Sequence, residues 1–287
     1  MRLPDVPSFG RLDCGGRLLD LSQPCVMGVL NVTPDSFSDG GRFQTLDRAI
    51  AHAEALAKAG ADLLDVGGES TRPGANPVSA GEECQRVVPV IEALAAKHPL
   101  PISVDTSKPE VMRAAVAAGA GFINDVRALS APGALETAVD LGVPVCLMHM
   151  QGTPAHMQQS PRYQDVVAEV RDFLAQRIQR CEAAGLPRER ICIDPGFGFG
   201  KTLEHNLQLL AHLDQIAQLG CPVLVGISRK SMIGQLTDRP VEDRLAGSLA
   251  AAVLALERGA RILRTHDPKE TQDALRVAWA VRSQDEA

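Results

Sequence analysis

Eight short apolar runs rich in β-branched residues, separated by amphipathic segments with helix start and stop signals, predict an α/β fold, a single-domain (β/α)8 TIM barrel. The length agrees, because eight strand–helix units need about 250 residues and the chain has 287. Parallel strands covered on both faces read as continuous apolar runs. The strands are expected at residues 25–30, 62–66, 102–104, 121–123, 143–148, 191–193, 223–227 and 261–263. Residues 25–287 are the expected barrel, and residues 1–24 an N-terminal segment closing its bottom.

The helices between these runs carry local signals with a physical basis. Leu46, Ala49, Ile50, Ala53, Leu56 and Ala57 recur at helical spacing, and Gly60 supplies a stop. Ser79 with Glu82, and Ser107 with Glu110, have the spacing at which a hydroxyl and a carboxylate satisfy the orphan amides of a helix start. Asp267, Pro268 and Glu270 mark the start of a last helix, with proline where its missing N–H costs nothing. Three connections are long and rich in Gly, Pro, Gln or Met, at residues 31–45, 67–79 and 155–163. Long connections in a compact domain are usually functional.

Bulk properties exclude several classes. A net charge of −6 lacks the basic excess that nucleic acid or an anionic lipid surface selects, so neither is an expected partner. The seven cysteines are odd in number, scattered, and never spaced as a zinc clip or redox pair. They read as small core residues in a reducing compartment. With no apolar run of about 18 residues and an N-terminus interrupted by Pro4, Asp5, Pro7 and Gly10, cytoplasmic residence is expected.

In a barrel the strand C-termini form the active-site face, and here nearly every one is polar. Strand by strand they offer Asn31, then Gly67 to Arg72, Asp105, Asn124 with Asp125, His149, Asp194, Ser228 to Lys230, and Arg264 with His266. A lone strand-end Asp more often caps the next helix than touches a ligand. A converging set is different, because its members would stay unpaired unless a polar ligand or water satisfied them. Thr71, Arg72, Arg229, Arg264 and His266 suit phosphate. Asp105, Asn124, Asp194 and Lys230 suit a flat heterocycle bearing amino and oxo groups.

Residues 196–202, Gly-Phe-Gly-Phe-Gly-Lys-Thr, approach a phosphate-binding loop but fail its spacing, since Pro195 occupies the place of the first glycine. They read instead as a tight loop allowing close backbone approach. His149 reads as a satisfied interior histidine, and His52, His98, His205 and His212 suggest no metal cluster.

Residues 27–41, 65–74 and 103–109 resemble dihydropteroate synthase, a family of pterin-binding barrels. So do Asn124-Asp125, residues 194–201, Ser228 to Ser231 and Arg264 to Asp267. The blocks run in the family's order over almost the whole chain. The resemblance implies a transferase of folate biosynthesis that joins 6-hydroxymethyl-7,8-dihydropterin pyrophosphate to 4-aminobenzoate, releasing pyrophosphate, with Mg2+ and commonly as a homodimer. It implies that Asp105, Asn124, Asp194 and Lys230 hold the pterin and that Asn31 binds magnesium or its water. Thr71, Arg72, Arg264 and His266 face the pyrophosphate. Thr71, Pro73, Phe199, Lys230 and Ser231 help form the aminobenzoate pocket, where sulfonamides would compete. Asp105, Lys230, Arg264 and His266 are the implied catalytic groups. Two other readings stand beside it: a methyltetrahydrofolate-dependent methyltransferase sharing the pterin pocket, and a noncatalytic pterin-binding subunit. Neither has a reason to keep both residues 31–41 and the phosphate-facing set.

Overall fold

Strands that must be covered on both faces, joined by amphipathic helices, can satisfy every edge by closing on themselves. The computed structural model describes residues 9–33, 42–70, 76–153, 157, 158 and 160–285. Its barrel strands are β3 (Cys25–Asn31), β4 (Leu63–Gly67), β5 (Ile102–Asp105), β6 (Phe122–Asp125), β7 (Val145–Met148), β8 (Ile191–Asp194), β9 (Val223–Val225) and β10 (Ala260–Thr265). They pair in parallel in chain order, and β10 closes on β3. A hairpin of β1 (Arg11–Cys14) and β2 (Arg17–Asp20) precedes them.

The helices are α1 (Arg42–Lys58), α2 (Ala80–Lys97), α3 (Pro109–Ala117), α4 (Ala134–Leu141), α5 (Val166–Ala183), α6 (Leu203–Ala211), α7 (Leu213–Ala217), α8 (Ser231–Thr237), α9 (Leu245–Glu257) and α10 (Pro268–Asp285). Units after β8 and β9 thus carry two helices each. The α2 capping box is made, with Ser79 and Glu82 exchanging hydrogen bonds. The one expected at Ser107 and Glu110 is not: Pro109 starts α3, Lys108 stands at its cap, and the Ser107 hydroxyl donates to buried Asp125 instead. Among the described residues no helix is long and apolar enough to cross a membrane.

Strand limits differ from expectation in an informative way. Residues 143 and 144 fall outside β7, where Pro144 has no amide to donate. β9 stops at Val225, so Gly226 and Ile227 already belong to the connection. β10 runs on past Leu263, pairing Arg264 with Met27 and Thr265 with Gly28. Polar residues end an apolar run in the sequence but do not end a ladder of backbone hydrogen bonds.

Alternation along the strands gives the barrel interior two characters. At the N-terminal end, Met27, Leu63, Phe122, Cys146, Cys192, Leu224 and Ile262 cluster with Leu12, Cys14, Leu19 and Leu21 of the hairpin region. Two residues further along the same strands stand Asp65, Asn124, Asp194 and Arg264. The hairpin is fastened from outside as well: Arg17 donates from Nη2 to the Ala95 carbonyl at 2.7 Å and from Nη1 to the Gly119 carbonyl at 3.3 Å. It passes so close to Gly121 that a Cβ there would collide with the Cys14 carbonyl. Gly121→Ala is expected to lower folding stability by about 1–3 kcal/mol, the usual cost of overpacking, measured as a shift in the urea midpoint. An unchanged midpoint would mean the hairpin is not held there.

Candidate active site

Charge inside a barrel must be paired where it stands, because burial disfavours an isolated ion by several kcal/mol. The central group is Asp65, fully buried on β4. Its Oδ1 accepts from the Ser103 hydroxyl at 2.6 Å, and its Oδ2 from Asn124 Nδ2 at 3.1 Å and Arg264 Nε at 2.6 Å. Arg264 Nη2 turns to Asp105 Oδ2 at 3.0 Å. One guanidinium thus ties two carboxyl groups from neighbouring strands, and the trio carries one net negative charge when both are ionised. Burial, and then the Asp65 charge, push the Asp105 carboxyl up to about 7, against the pull of Arg264. For Arg264 the two carboxylates outweigh burial and hold its guanidinium above its ordinary value.

Asp65 was absent from the residues expected in the site. It lies within the apolar run Leu63-Leu64-Asp65-Val66 rather than at its end. The available signal was the cost itself: a carboxylate in a strand covered on both faces needs partners. Asp125, next to Asn124, points the other way along the strand. Its carboxylate takes the Ser107 hydroxyl and the amides of Arg127 and Leu129, at 2.8 Å each for the amides, and so secures the β6 connection.

Across the barrel mouth, Asp194 ends β8 and accepts from the Gly196 amide at 2.7 Å. Burial raises its carboxyl, while the Lys230 charge opposes the rise. Lys230 donates to the Phe197 carbonyl, and its ammonium lies 4.5 Å from the centroid of the Phe199 ring. Burial pulls that ammonium down to about 8, although Asp194 favours its charge. Ser231 follows as the exposed first residue of α8 and lines a groove of about 260 Å³ with Thr202, Asn206 and Gln235. A wider concavity, lined by Arg162, Tyr163, Asp165 and Glu169, holds none of the strand-end groups. Polar convergence, not cavity size, marks the site.

His266 is exposed just after β10, and its Nδ1 lies 3.1 Å from the Ser228 hydroxyl. Arg229, expected as a phosphate donor, is instead committed to Asp267: Nε donates to Oδ2 at 2.9 Å and Nη2 to Oδ1. That ion pair joins the β9 connection to the start of α10. Asn31 stands at the end of β3, opposite Gly67, which in turn stands opposite Asp105. Thr71, Arg72 and Pro73 lie outside the described residues. The connection that carries them is pinned at both ends. Glu69 accepts the Val78 amide at 2.9 Å, Lys108 bonds Glu69 at 2.6 Å and also buried Glu83, and Arg86 holds the Gly68 carbonyl at 2.8 Å. His149 is interior and satisfied, its ring 2.9 Å from the Lys201 ammonium.

The family model described as pterin binding enzyme matches residues 27–266. The chain belongs to the pterin-binding enzyme family. It is 57% identical over 273 residues to dihydropteroate synthase of Escherichia coli strain K12, an alignment covering 95% of this chain and 97% of that one. The dihydropteroate synthase of Xanthomonas albilineans, solved with 4-aminobenzoic acid, is 60% identical with a TM-score of 0.91, covering 96% and 98% of the two chains. That of Yersinia pestis, solved with a sulfonamide drug, is 55% identical with a TM-score of 0.91, covering 95% and 99%. Likeness at this level over nearly the whole length makes the chain an enzyme of the transferase class.

Replacing Asp65 removes a like charge from beside Asp105. In Asp65→Asn the Asp105 carboxyl should therefore titrate lower than in the parent, by on the order of one pH unit, followed by carboxyl-carbon NMR. An upward move or no move would contradict the proposed charge coupling.

Proposed function

We infer that this site condenses 6-hydroxymethyl-7,8-dihydropterin pyrophosphate with 4-aminobenzoate to give 7,8-dihydropteroate and pyrophosphate, a step of folate biosynthesis. The observation that carries the reading is the ring of inward groups Asp65, Asp105, Asn124, Asp194, Lys230 and Arg264, grading from apolar barrel floor to open mouth. A pterin presents amide and amino donors along one edge and ring nitrogens and an oxo group along others. Fixed carboxylates match the donors, and an ammonium and a side-chain amide match the acceptors.

The chemistry needs no protein nucleophile. The bond between the exocyclic methylene and the pyrophosphate oxygen breaks, its electron pair leaving with pyrophosphate. The resulting cation is delocalised over the pterin ring, where the net negative charge of the Asp65–Arg264–Asp105 cluster favours it before any reorganisation. The amine nitrogen of 4-aminobenzoate then forms the C–N bond with its lone pair and loses a proton. An aromatic amine is largely unprotonated at neutral pH, so no strong base is required. Arg264 and His266, with Thr71 and Arg72, would face the leaving group. Phe199, Pro73 and Thr71 would border the amine, and Ser231 would take its carboxylate.

Magnesium fits the residues present. Asn31 Oδ1 and Asp105 Oδ2 approach Gly67 from two sides, 3.8 and 3.7 Å from where its Cβ would stand. A small ion that keeps its waters and draws most oxygens from a substrate pyrophosphate needs only such a sparse protein set. Asn31 would hold it, and it would supply charge to the leaving group.

Two further features accompany this reading. Leu254 on α9 and Val277 and Val281 on α10 are exposed apolar side chains on two helices packed together, a face suited to a homodimer. Seven free cysteines, six of them buried, suit a reducing compartment such as the cytoplasm. Val277→Glu paired with Val281→Glu should convert a dimer to a monomer in sedimentation velocity; a parent that sediments as a monomer would remove the dimer.

The reaction itself is tested by pyrophosphate release from the dihydropterin pyrophosphate with magnesium, with and without 4-aminobenzoate. Release coupled to dihydropteroate formation is expected, with kcat/KM down about 100-fold or more in Asp105→Ala. A sulfonamide should compete with 4-aminobenzoate and not with the pterin. Tight pterin binding without turnover would instead favour the noncatalytic subunit.

A further inference from the structure

The loop after β8 has no regular secondary structure, yet its carbonyls from Gly196 to Lys201 all find donors. The Gly196 amide goes to Asp194, and the Gly198 amide goes to Asn206 Oδ1 at 2.8 Å. The Phe197 carbonyl takes Lys230, and the Gly198 carbonyl takes Gln158 at 2.6 Å. The Gly200 carbonyl takes the Tyr163 hydroxyl at 2.8 Å. The Gly196 carbonyl takes the Phe199 amide at 3.1 Å, and it and the Phe199 carbonyl both converge on one buried side-chain nitrogen. Lys201 Nζ donates to the Gly196 carbonyl at 2.9 Å and the Phe199 carbonyl at 3.0 Å, and lies 2.9 Å from His149 Nδ1.

Lys201 is only 3% exposed, so this ammonium is a strong constraint. Its Nζ has the two loop carbonyls and, on the strand β7 side of the barrel, His149 Nδ1, with the His149 carbonyl a longer fourth acceptor at 3.4 Å; burial pulls this amine down to about 7, although Asp194 favours its charge. His149 is suited to the third place because burial, and then the Lys201 charge, hold its ring far below ordinary histidine basicity, at about 3. The ring is then neutral across the working pH range, and in its Nε2–H tautomer Nδ1 accepts from Lys201. The loop also packs too tightly for substitutes. A Cβ at Gly196 would collide with the His149 carbonyl, and one at Gly200 would stand 2.5 Å from the Gln151 carbonyl.

The loop carries Phe199, whose ring faces Lys230, and the Phe197 carbonyl, which holds Lys230 in place. The groups on the upper side of the loop touch substrate in the reading above, whereas Lys201 sits beneath it. We propose that Lys201, braced by the imidazole of His149, is a positioning residue that sets the height of this loop and thereby the placement of Phe199 and Lys230 against the aromatic amine. The inference rests on the assignment of Phe199 and Lys230 to the substrate pocket. It adds Lys201 and His149, which act on that pocket through the loop.

The test compares the full chain with Lys201→Met and His149→Gln by steady-state kinetics in both substrates, with circular dichroism and melting as controls for folding. Loss of the Lys201 hydrogen bonds to the loop, or of their brace, should raise KM for 4-aminobenzoate about tenfold, while kcat falls about threefold or less. A purely structural lysine would lower the melting temperature and leave the KM of the folded enzyme at its parent value, and that result would overturn the proposal. If Lys201→Met does not fold, His149→Gln decides alone, because it keeps the lysine and removes only its brace; an unchanged KM there overturns the proposal equally. A parent enzyme with no transferase activity would sink the site assignment instead, a failure separate from this one.

Discussion

Two carboxylates on adjacent strands of a closed barrel share one guanidinium, and much else in the structure is arranged to make that tolerable. Asp65 is fully buried, and Arg264, Asn124 and the Ser103 hydroxyl all bond its carboxylate oxygens. Removing one member of such a buried set typically costs about 3–5 kcal/mol, since the remainder is left uncompensated. A chain selected only for stability would place apolar side chains at these positions. Keeping two carboxyl groups on one guanidinium under the barrel mouth costs stability, and it suits the proposed reaction, in which positive charge develops on the bound ring.

The rest of the barrel supports that cluster from below and from the side. The apolar layer contributed by Met27, Leu63, Phe122, Cys146, Cys192, Leu224 and Ile262, sealed by the hairpin, keeps water from reaching the carboxylates through the barrel floor. Four connections after the strands are then held individually, each by a charged group. Asp125 serves the β6 connection, Lys108 with Glu69 and Glu83 serves β4, Arg229 with Asp267 serves β9, and Lys201 serves β8. Loops that carry binding residues need this, because a displacement of about 1 Å can cost a large factor in rate.

Several of these anchors look, residue by residue, like ligand-binding groups. Arg229 has the residue type that suits phosphate and lies beside Lys230, yet its guanidinium is spent on Asp267. Asp65 interrupts an apolar run and ends none, so its position in a strand gives no local sign of a site. Ser107 was read as a helix cap from its spacing to Glu110, but Asp125 offers its hydroxyl a buried carboxylate. In each case the competing partner lies on a different strand–helix unit, out of reach of any local pattern.

By itself the sequence determined the strand–helix rhythm, the closed parallel barrel, the strand ends as the place where polar groups gather, and Asp105, Asn124, Asp194, Lys230 and Arg264 among the groups gathered there. Those features are local or periodic: apolar runs, capping residues, and polar residues at strand ends follow from backbone geometry and burial. Tertiary structure alone decided which charges meet. Asp65 and Arg264 are separated by 199 positions in the chain, and their pairing depends on barrel closure between β10 and β3 and on the inward alternation of each strand. The partnering of a buried charge is set by distance in space, and no spacing along the chain encodes it.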